Sequence, residues 1–222
     1  MKKYKIVQIG MFDSEIYGNL LFPAILENEL KKRVEIEKIY LFSPKGGKLP
    51  FFDKKIYPLC DLENIIKKES IDVIIIGGGD LIRLPSDADN STKNINQDIF
   101  NIWQIPILLG KKYNIKVIFN AVGVPSEFTE NQLSFINLLL EQVDYLTVRD
   151  EFSKYFLGYN IKDKCIVVPD LNNNISNLYS KEDLLKNMKE INRKNIASIG
   201  NNYIILQIDN TNNELNLYKK RI

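Results

Sequence analysis

The chain has 222 residues, 45% apolar and 26% charged, with a formal net charge of +2; this suits a soluble globular protein of one large domain or one and a half small ones, and no apolar run approaches the ~18 residues of a membrane span. Its lysines are scattered, with no basic stripe interleaved with aromatics, so nucleic acid is not an expected partner. It contains no histidine, which excludes histidine acid–base catalysis, Ser-His-Asp triads and histidine-liganded metal sites within this chain.

Lys3 and Lys5 flank an amino terminus that runs straight into a strand, Tyr4 to Ile9, with no extended apolar core or cleavage site of a signal peptide, so a cytoplasmic location is expected. Gly10 ends that strand. Leu21, Ile25, Leu26 and Leu30 then recur at helical spacing across residues 20–32, with Pro23 tolerated in the first turns. Asn19, at the start of this helix, either caps it or presents its amide to a ligand. Glu37 to Phe42 reads as a second strand and Ser43 to Asp53 as an irregular loop, after which Asp61 is the expected cap of a short helix over residues 62–70. Cys60 and Cys165 lack metal-ligand spacing and read as buried reduced thiols.

Ile71 and Val73 to Ile76 form an apolar run without polar alternation, the pattern of a strand buried on both faces in the middle of a parallel sheet. Gly77, Gly78 and Gly79 follow, where the backbone is free to take positive φ and to bring N–H groups close to a ligand, and then Asp80 and Arg83. The triplet alone fits a ligand-free strand-to-helix turn equally well. Residues 84–94 are polar and long enough to form a lid over the triglycine. Asn96 to Tyr113 reads as a helix broken or kinked at Pro106. Lys116 to Asn120 is a buried strand ending in Ala121 to Pro125, and Asn131 to Glu141 is a helix whose leucine stripe is core. Tyr145 to Val148 is the next strand, stopped by Arg149 and Asp150. A short helix, Phe152 to Leu157, precedes the strand Cys165 to Val168, with Pro169 and Asp170 beyond it.

Strand and helix alternate through about six units, which predicts a doubly wound parallel α/β sheet, Rossmann-like, over residues 1–176. Asn172, Asn173, Asn174 and Ser176 read as a break. Residues 177–222 then hold a connecting helix capped by Ser180 and a strand, Tyr203 to Ile208, the beginning of an incomplete second domain. In a parallel sheet the ends at Gly77 to Asp80, Asn120 to Pro125, Arg149–Asp150 and Pro169–Asp170 all emerge on one edge, so groups distant in sequence converge on one cleft. An ion pair at Arg149 and a helix cap at Asp150 are the structural alternatives there.

Together these segments resemble the polysaccharide pyruvyl transferase family. GNLLFPAILENEL, IIIGGGDLI, NAVGVP, TVRDEFSKYFL and VVPD follow the order and approximate spacing of that family's amino-terminal half. The most specific part is the unit Val148, Arg149, Asp150 and Ser153, supported by the triglycine and its aspartate. The resemblance implies the first half of a GT-B-type two-domain transferase with its active site between two Rossmann-like domains. It also implies transfer of the enolpyruvyl carbons of phosphoenolpyruvate to sugar hydroxyls, forming a ketal on a cell-surface polysaccharide or its precursor, as in exopolysaccharide biosynthesis. Two departures stand out. Asp170 is followed by Leu171 and asparagines where the family usually has proline, and the second domain, which in the family supplies histidine and arginine, stops after about one strand.

On that resemblance Asp80 and Asp150 are the candidate catalytic carboxylates. Gly77, Gly78, Gly79, Asn19, Asn120, Gly123, Arg149, Ser153 and Asp170 are candidate substrate-binding residues, with Arg149 forking onto the donor's carboxylate or phosphate and the glycine amides forming an anion nest. The partners implied are phosphoenolpyruvate and a sugar or polysaccharide precursor; no cofactor and no metal are expected. Three alternatives stay open: a truncated, inactive relative, a GT-B half using a nucleotide sugar, and a non-catalytic glycan- or anion-binding domain. A missing carboxyl-terminal domain or self-association through the face it would cover is expected with them. A nicotinamide-binding protein is disfavoured, since Gly10 stands without the other glycines of that fingerprint.

Overall fold

A computed structural model describes residues 2–14, 16–49, 53–85 and 93–182. Eight strands, β1 (Lys3–Ile9), β2 (Glu35–Ser43), β3 (Gly47–Leu49), β4 (Lys54–Pro58), β5 (Val73–Gly77), β6 (Lys116–Val122), β7 (Tyr145–Val148) and β8 (Cys165–Val167), form one sheet. Their order is β3-β4-β2-β1-β5-β6-β7-β8. Every pairing is parallel except that of β3 with β4. The helices are α1 (Tyr17–Lys31), α2 (Leu62–Lys68), α3 (Lys93–Tyr113), α4 (Glu130–Leu140), α5 (Glu151–Phe156) and α6 (Tyr159–Lys162). This is the expected α/β architecture, a mostly parallel sheet flanked by helices, and β5 lies mid-sheet between β1 and β6.

The alternation of side chains along each strand sorts the core into two layers. On one face Ile74, Ile76, Val117 and Phe119 pack under Leu62 of α2, Ile102 and Trp103 of α3 and Ile136 of α4. On the other, Leu26 of α1 packs against Ile6 and Ile75. A strand buried from both sides has no polar position to spare, which is why β5 reads as an unbroken apolar run.

Several local expectations are corrected. Residues 43–53, expected as irregular loop, contain β3, an antiparallel strand on β4. α1 begins at Tyr17, so Asn19 sits inside the first turn and does not cap it; Ile16 occupies the cap position without a side-chain bond. Asp61 makes no cap bond either, because a 3-10 turn, Leu59–Asp61, already leads into α2. α3 runs unbroken through Pro106, where the proline forfeits one backbone bond but Trp103 and Ile107, at 0% and 1% exposure, hold the turn in the core. Cys60 is exposed; only Cys165 is buried, and burial pushes its thiol up to about 11. α4 opens with a capping box, Thr129 and Gln132, that its sequence signature would have disclosed.

The asparagine run expected as a break is an ordered 3-10 strap, Leu171–Asn177, started by Asp170, whose Oδ1 accepts the Asn172 N–H at 2.8 Å. It lies on α1. Leu171 packs with the clusters around Phe22 and Leu26, the Asn28 Nδ2 donates to the Asn177 carbonyl at 3.2 Å, and the Asn177 Nδ2 donates to the Glu29 Oε1 at 2.9 Å. Hydrogen bonds from Lys32 and Arg33, then from Asn177, hold the Glu29 carboxyl at about 2, well below its ordinary value near 4.5. A carboxyl depressed on folding stabilises the fold above its unfolded value and loses that contribution as pH falls toward the folded one. The melting temperature of the wild type is therefore expected to drop more steeply between about pH 4.5 and pH 2 than that of Glu29→Gln. Parallel melting curves for the two proteins would refute the assignment.

Residues 86–92 of the expected lid, the helix after Ser180 from residue 183 onward, the strand Tyr203 to Ile208, and so nearly all of the expected second domain 177–222, lie outside the described residues. Among the described residues no helix is long and apolar enough to cross a membrane.

Candidate functional site

The chain leaves β1 toward β2 on one side and returns later to β5 on the other, so the direction of strand order switches between β1 and β5. Loops leaving the carboxyl ends of two such strands part in opposite directions and leave a crevice between them. A cavity of about 600 Å³ occupies this place. Asp13 and Ser14 from the loop after β1, Asn19 and Phe22 from α1, Lys45 after β2, and Gly78 to Leu81 with Arg83 after β5 form its walls. Arg149 after β7 and Asp170 and Asn172 from the strap complete them.

The turn after β5 requires glycine twice. Gly78 and Gly79 have φ of +96° and +79°, a region that side-chain-bearing residues rarely enter. At Gly78 there is also no room, because the Phe22 ring stands where a Cβ would be, while a Cβ on Gly79 would come 3.1 Å from the Asn19 Oδ1. Asn19 itself donates from Nδ2 to the Ser14 Oγ at 3.0 Å, which links the β1 loop to the β5 turn through α1. Beyond the glycines the chain continues beside β6: the Gly123 N–H donates to the Gly79 carbonyl at 2.9 Å and the Ile82 N–H to the Gly123 carbonyl at 3.2 Å, with Asp80 bridged to Gly123. The indole N–H of the buried Trp103 donates to the Arg83 carbonyl at 3.3 Å and fixes the end of the turn.

Arg149 is the hub. Its Nη2 donates to the Asp80 Oδ1, its Nε stands 3.4 Å from the Asp150 Oδ2, and its Nη1 stands 3.7 Å from the Asp170 Oδ2. Asp80 also has Arg83 3.7 Å away. One guanidinium thus gathers carboxylates from the ends of β5, β7 and β8, three elements that the parallel sheet delivers to one edge. Asp150 serves two purposes, since its Oδ1 accepts the Ser153 N–H at 2.6 Å as the cap of α5. Burial works to raise its carboxyl, but the bonds from Ser153 and the charge of Arg149 outweigh it and hold it below the ordinary carboxylate value.

Of the residues singled out in the sequence, Asn19, Gly78, Gly79, Asp80, Arg149 and Asp170 line the cavity. Gly77, Asn120, Gly123, Asp150 and Ser153 are not among the described residues that line it. Gly77 is opposite Asn120 in the β5–β6 register, and Ser153, only 1% exposed, accepts the Val124 N–H on its Oγ at 3.0 Å. Gly123 has a definite reason to be glycine: a Cβ there would run into the Asp80 carboxylate and come 2.8 Å from the Arg149 Nε.

Asp13, Ser14, Lys45, Asp98 and Asn172 line the cavity and were not singled out in the sequence. The strand order is the signal that finds Asp13 and Ser14, because it identifies the loop after β1 as the opposite wall. Among the described residues four carboxylates, Asp13, Asp80, Asp98 and Asp170, and three cations, Lys45, Arg83 and Arg149, line the wall. Among the described residues no cluster of three or more acidic or cysteine side chains is arranged to hold a metal ion; Arg149 occupies the centre of this one.

When the chain is compared with known proteins, residues 17–222 match the model of a family described as Polysaccharide pyruvyl transferase. No curated protein and no solved structure matches it.

Proposed function

Because the chain belongs to the polysaccharide pyruvyl transferase family, we propose that it transfers the pyruvyl group of phosphoenolpyruvate to hydroxyls of a cell-surface polysaccharide or its precursor, with the cavity at the β1–β5 switch point as the meeting place. The observation that carries the reading is Arg149, a cavity-lining guanidinium directly paired to a cavity-lining carboxylate, Asp80.

The reaction needs a cation for the donor's anionic groups and a base for the acceptor hydroxyl. Arg149 suits the first task, because its Nη1 is held only at 3.7 Å by Asp170 and can exchange that partner for a carboxylate or phosphate oxygen. As the guanidinium turns toward the donor, Asp80 is released from its closest partner and can take the hydroxyl proton. Protonation of the donor's C3 leaves C2 electron-poor. One sugar oxygen then bonds to C2, the C2–O bond to phosphate breaks, and a second sugar oxygen closes the ketal. Of the two hydroxyl protons released, the balance places one on the new methyl group and one on phosphate. Asp80 is the proposed catalytic base. Asp150, tied into the α5 cap and 3.4 Å from the Arg149 Nε, is better placed to orient Arg149, and Ser153 to orient Asp150. The Gly78 and Gly79 amides remain the proposed nest for the second anionic group.

The four carboxylates among the described wall residues support a second reading, a non-catalytic domain that binds sugar. Sugar hydroxyls are suited to such acceptors, and the Asn172 Oδ1 on the cavity wall is buried without a hydrogen-bond partner.

Titration of the 222-residue chain with phosphoenolpyruvate, followed by heat, separates the two. Binding in the millimolar range or tighter, weakened by added salt as an anion site requires, is the expected result. A chain that binds neutral sugars and gives no heat with phosphoenolpyruvate would overturn the transferase reading in favour of the second.

A further inference from the structure

A separate groove lies along α5 and α6, with a volume of about 600 Å³, and among the described residues it shares no lining residue with the cavity at Arg149. Its floor is aromatic. Phe152 and Tyr155, at 74% and 67% exposure, flank the half-buried Phe156, with ring centroids 6.5 and 5.9 Å from it, and Glu127 and Glu151 stand at the rim with Lys154. Gly158, at φ +74°, turns the chain between the two helices and carries no side chain to fill the space.

Two large rings held in water on one short helix expose apolar surface that folding alone would bury, which marks a binding surface. Its volume falls within the about 300–1,000 Å³ of small-ligand sites. Among the described residues its rim holds two carboxylates and one lysine and no arginine to fork onto an anion, which disfavours a polyanion or an acidic membrane surface. Flat rings that accept the C–H face of a sugar, beside carboxylates that accept its hydroxyls, fit a neutral carbohydrate. We propose that the Phe152–Tyr155 groove binds a neutral hexose segment of the polysaccharide, outside the reacting cavity and on the helix that begins beside Arg149.

The choice of ligand rests on the polysaccharide reading of the family, but the groove is tested without donor and without turnover. Saturation-transfer NMR of the 222-residue chain with glucose, galactose and mannose tetrasaccharides is the direct experiment, run on the wild type, on Phe152→Ala/Tyr155→Ala and on Lys48→Ala, an exposed position on β3 at the far edge of the sheet. At least one tetrasaccharide is expected to receive saturation from the wild type, with affinity reduced at least tenfold by the double substitution and unchanged by Lys48→Ala. Both aromatic side chains are exposed, so the double variant is expected to fold; its circular dichroism checks this. Absence of transfer to all three tetrasaccharides overturns the proposal, as does equal binding by the double variant. A wild-type dimer that the double substitution dissolves, in place of sugar binding, would assign the groove to a second copy of the chain. Failure of phosphoenolpyruvate to bind leaves this result untouched, so the two readings fail separately.

Discussion

Arg149→Ala is expected to abolish phosphoenolpyruvate binding and to lower stability in the same protein. The substitution leaves Asp80, Asp150 and Asp170 gathered at one point without the guanidinium that balances them, and Arg83, 3.7 Å from Asp80, reaches only one of the three. Breaking a fully buried ion pair by removing one partner costs about 3–5 kcal/mol, whereas an exposed pair is worth about 0–1 kcal/mol. The Arg149 side chain is 28% exposed, so solvent screens part of the penalty and a loss of about 1–3 kcal/mol is expected. Turnover should fall about 100- to 1,000-fold, the usual effect of deleting one preorganised donor from a charged transition state. Arg149→Lys separates the two roles. It keeps a positive charge for the aspartates but not the planar fork, so stability should largely return while donor binding stays impaired. A variant Arg149→Ala that gives the same heat with phosphoenolpyruvate as the wild type would remove Arg149 from the donor site.

The convergence at Arg149 was legible in the sequence because it follows from topology. A parallel sheet sends every strand's carboxyl end to one edge, and the apolar runs at Ile74, Phe119 and Leu146 identify those strands without any knowledge of contacts. The missed elements were hidden for physical reasons. β3 is an edge strand and β4 its neighbour, both short, and Lys48, Lys54 and Lys55 dilute the apolar signal that marks an inner strand. The strap over α1 is made of asparagines, whose turn-forming side chains read as a break; what orders it is the distant Glu29 and the apolar contacts of Leu171, and neither is local in sequence. Ser153 fits the motif whether it faces a ligand or the core, and only its bond from Val124 decides in favour of the core. Asp13 and Lys45 have no local signature at all. They become candidates only once the loop after β1 is known to face the turn after β5.

Gly123→Ala is expected to cost nearly as much activity as Arg149→Ala, by a different route. Its backbone does not need the left-handed region, and its N–H and carbonyl bonds to Gly79 and Ile82 survive the change. The methyl group has no space: it meets the Asp80 carboxylate and stands 2.8 Å from the Arg149 Nε. Asp80 and Arg149 must move apart, and a displacement of about 1 Å in a reacting group is enough to cost about 100-fold in rate. The stability loss is that of overpacking, about 1–3 kcal/mol. Since both substitutions disable the same pair, Gly123→Ala combined with Arg149→Ala should be little worse than Arg149→Ala alone. Additive losses in the double variant would show that Gly123 acts elsewhere.

The sheet ends in three-residue strands on both sides, β3 at one edge and β8 at the other. A long flat edge offers unpaired N–H and carbonyl groups on which another chain can template itself, whereas a short one gives an incoming strand few bonds and little register. At the β8 edge Pro169, two residues past the strand, withholds a donor where pairing would otherwise continue. Among the described residues strand addition is thus disfavoured at both margins, and exposed side chains such as Phe152 and Ile166 are left as apolar contacts between copies at high concentration.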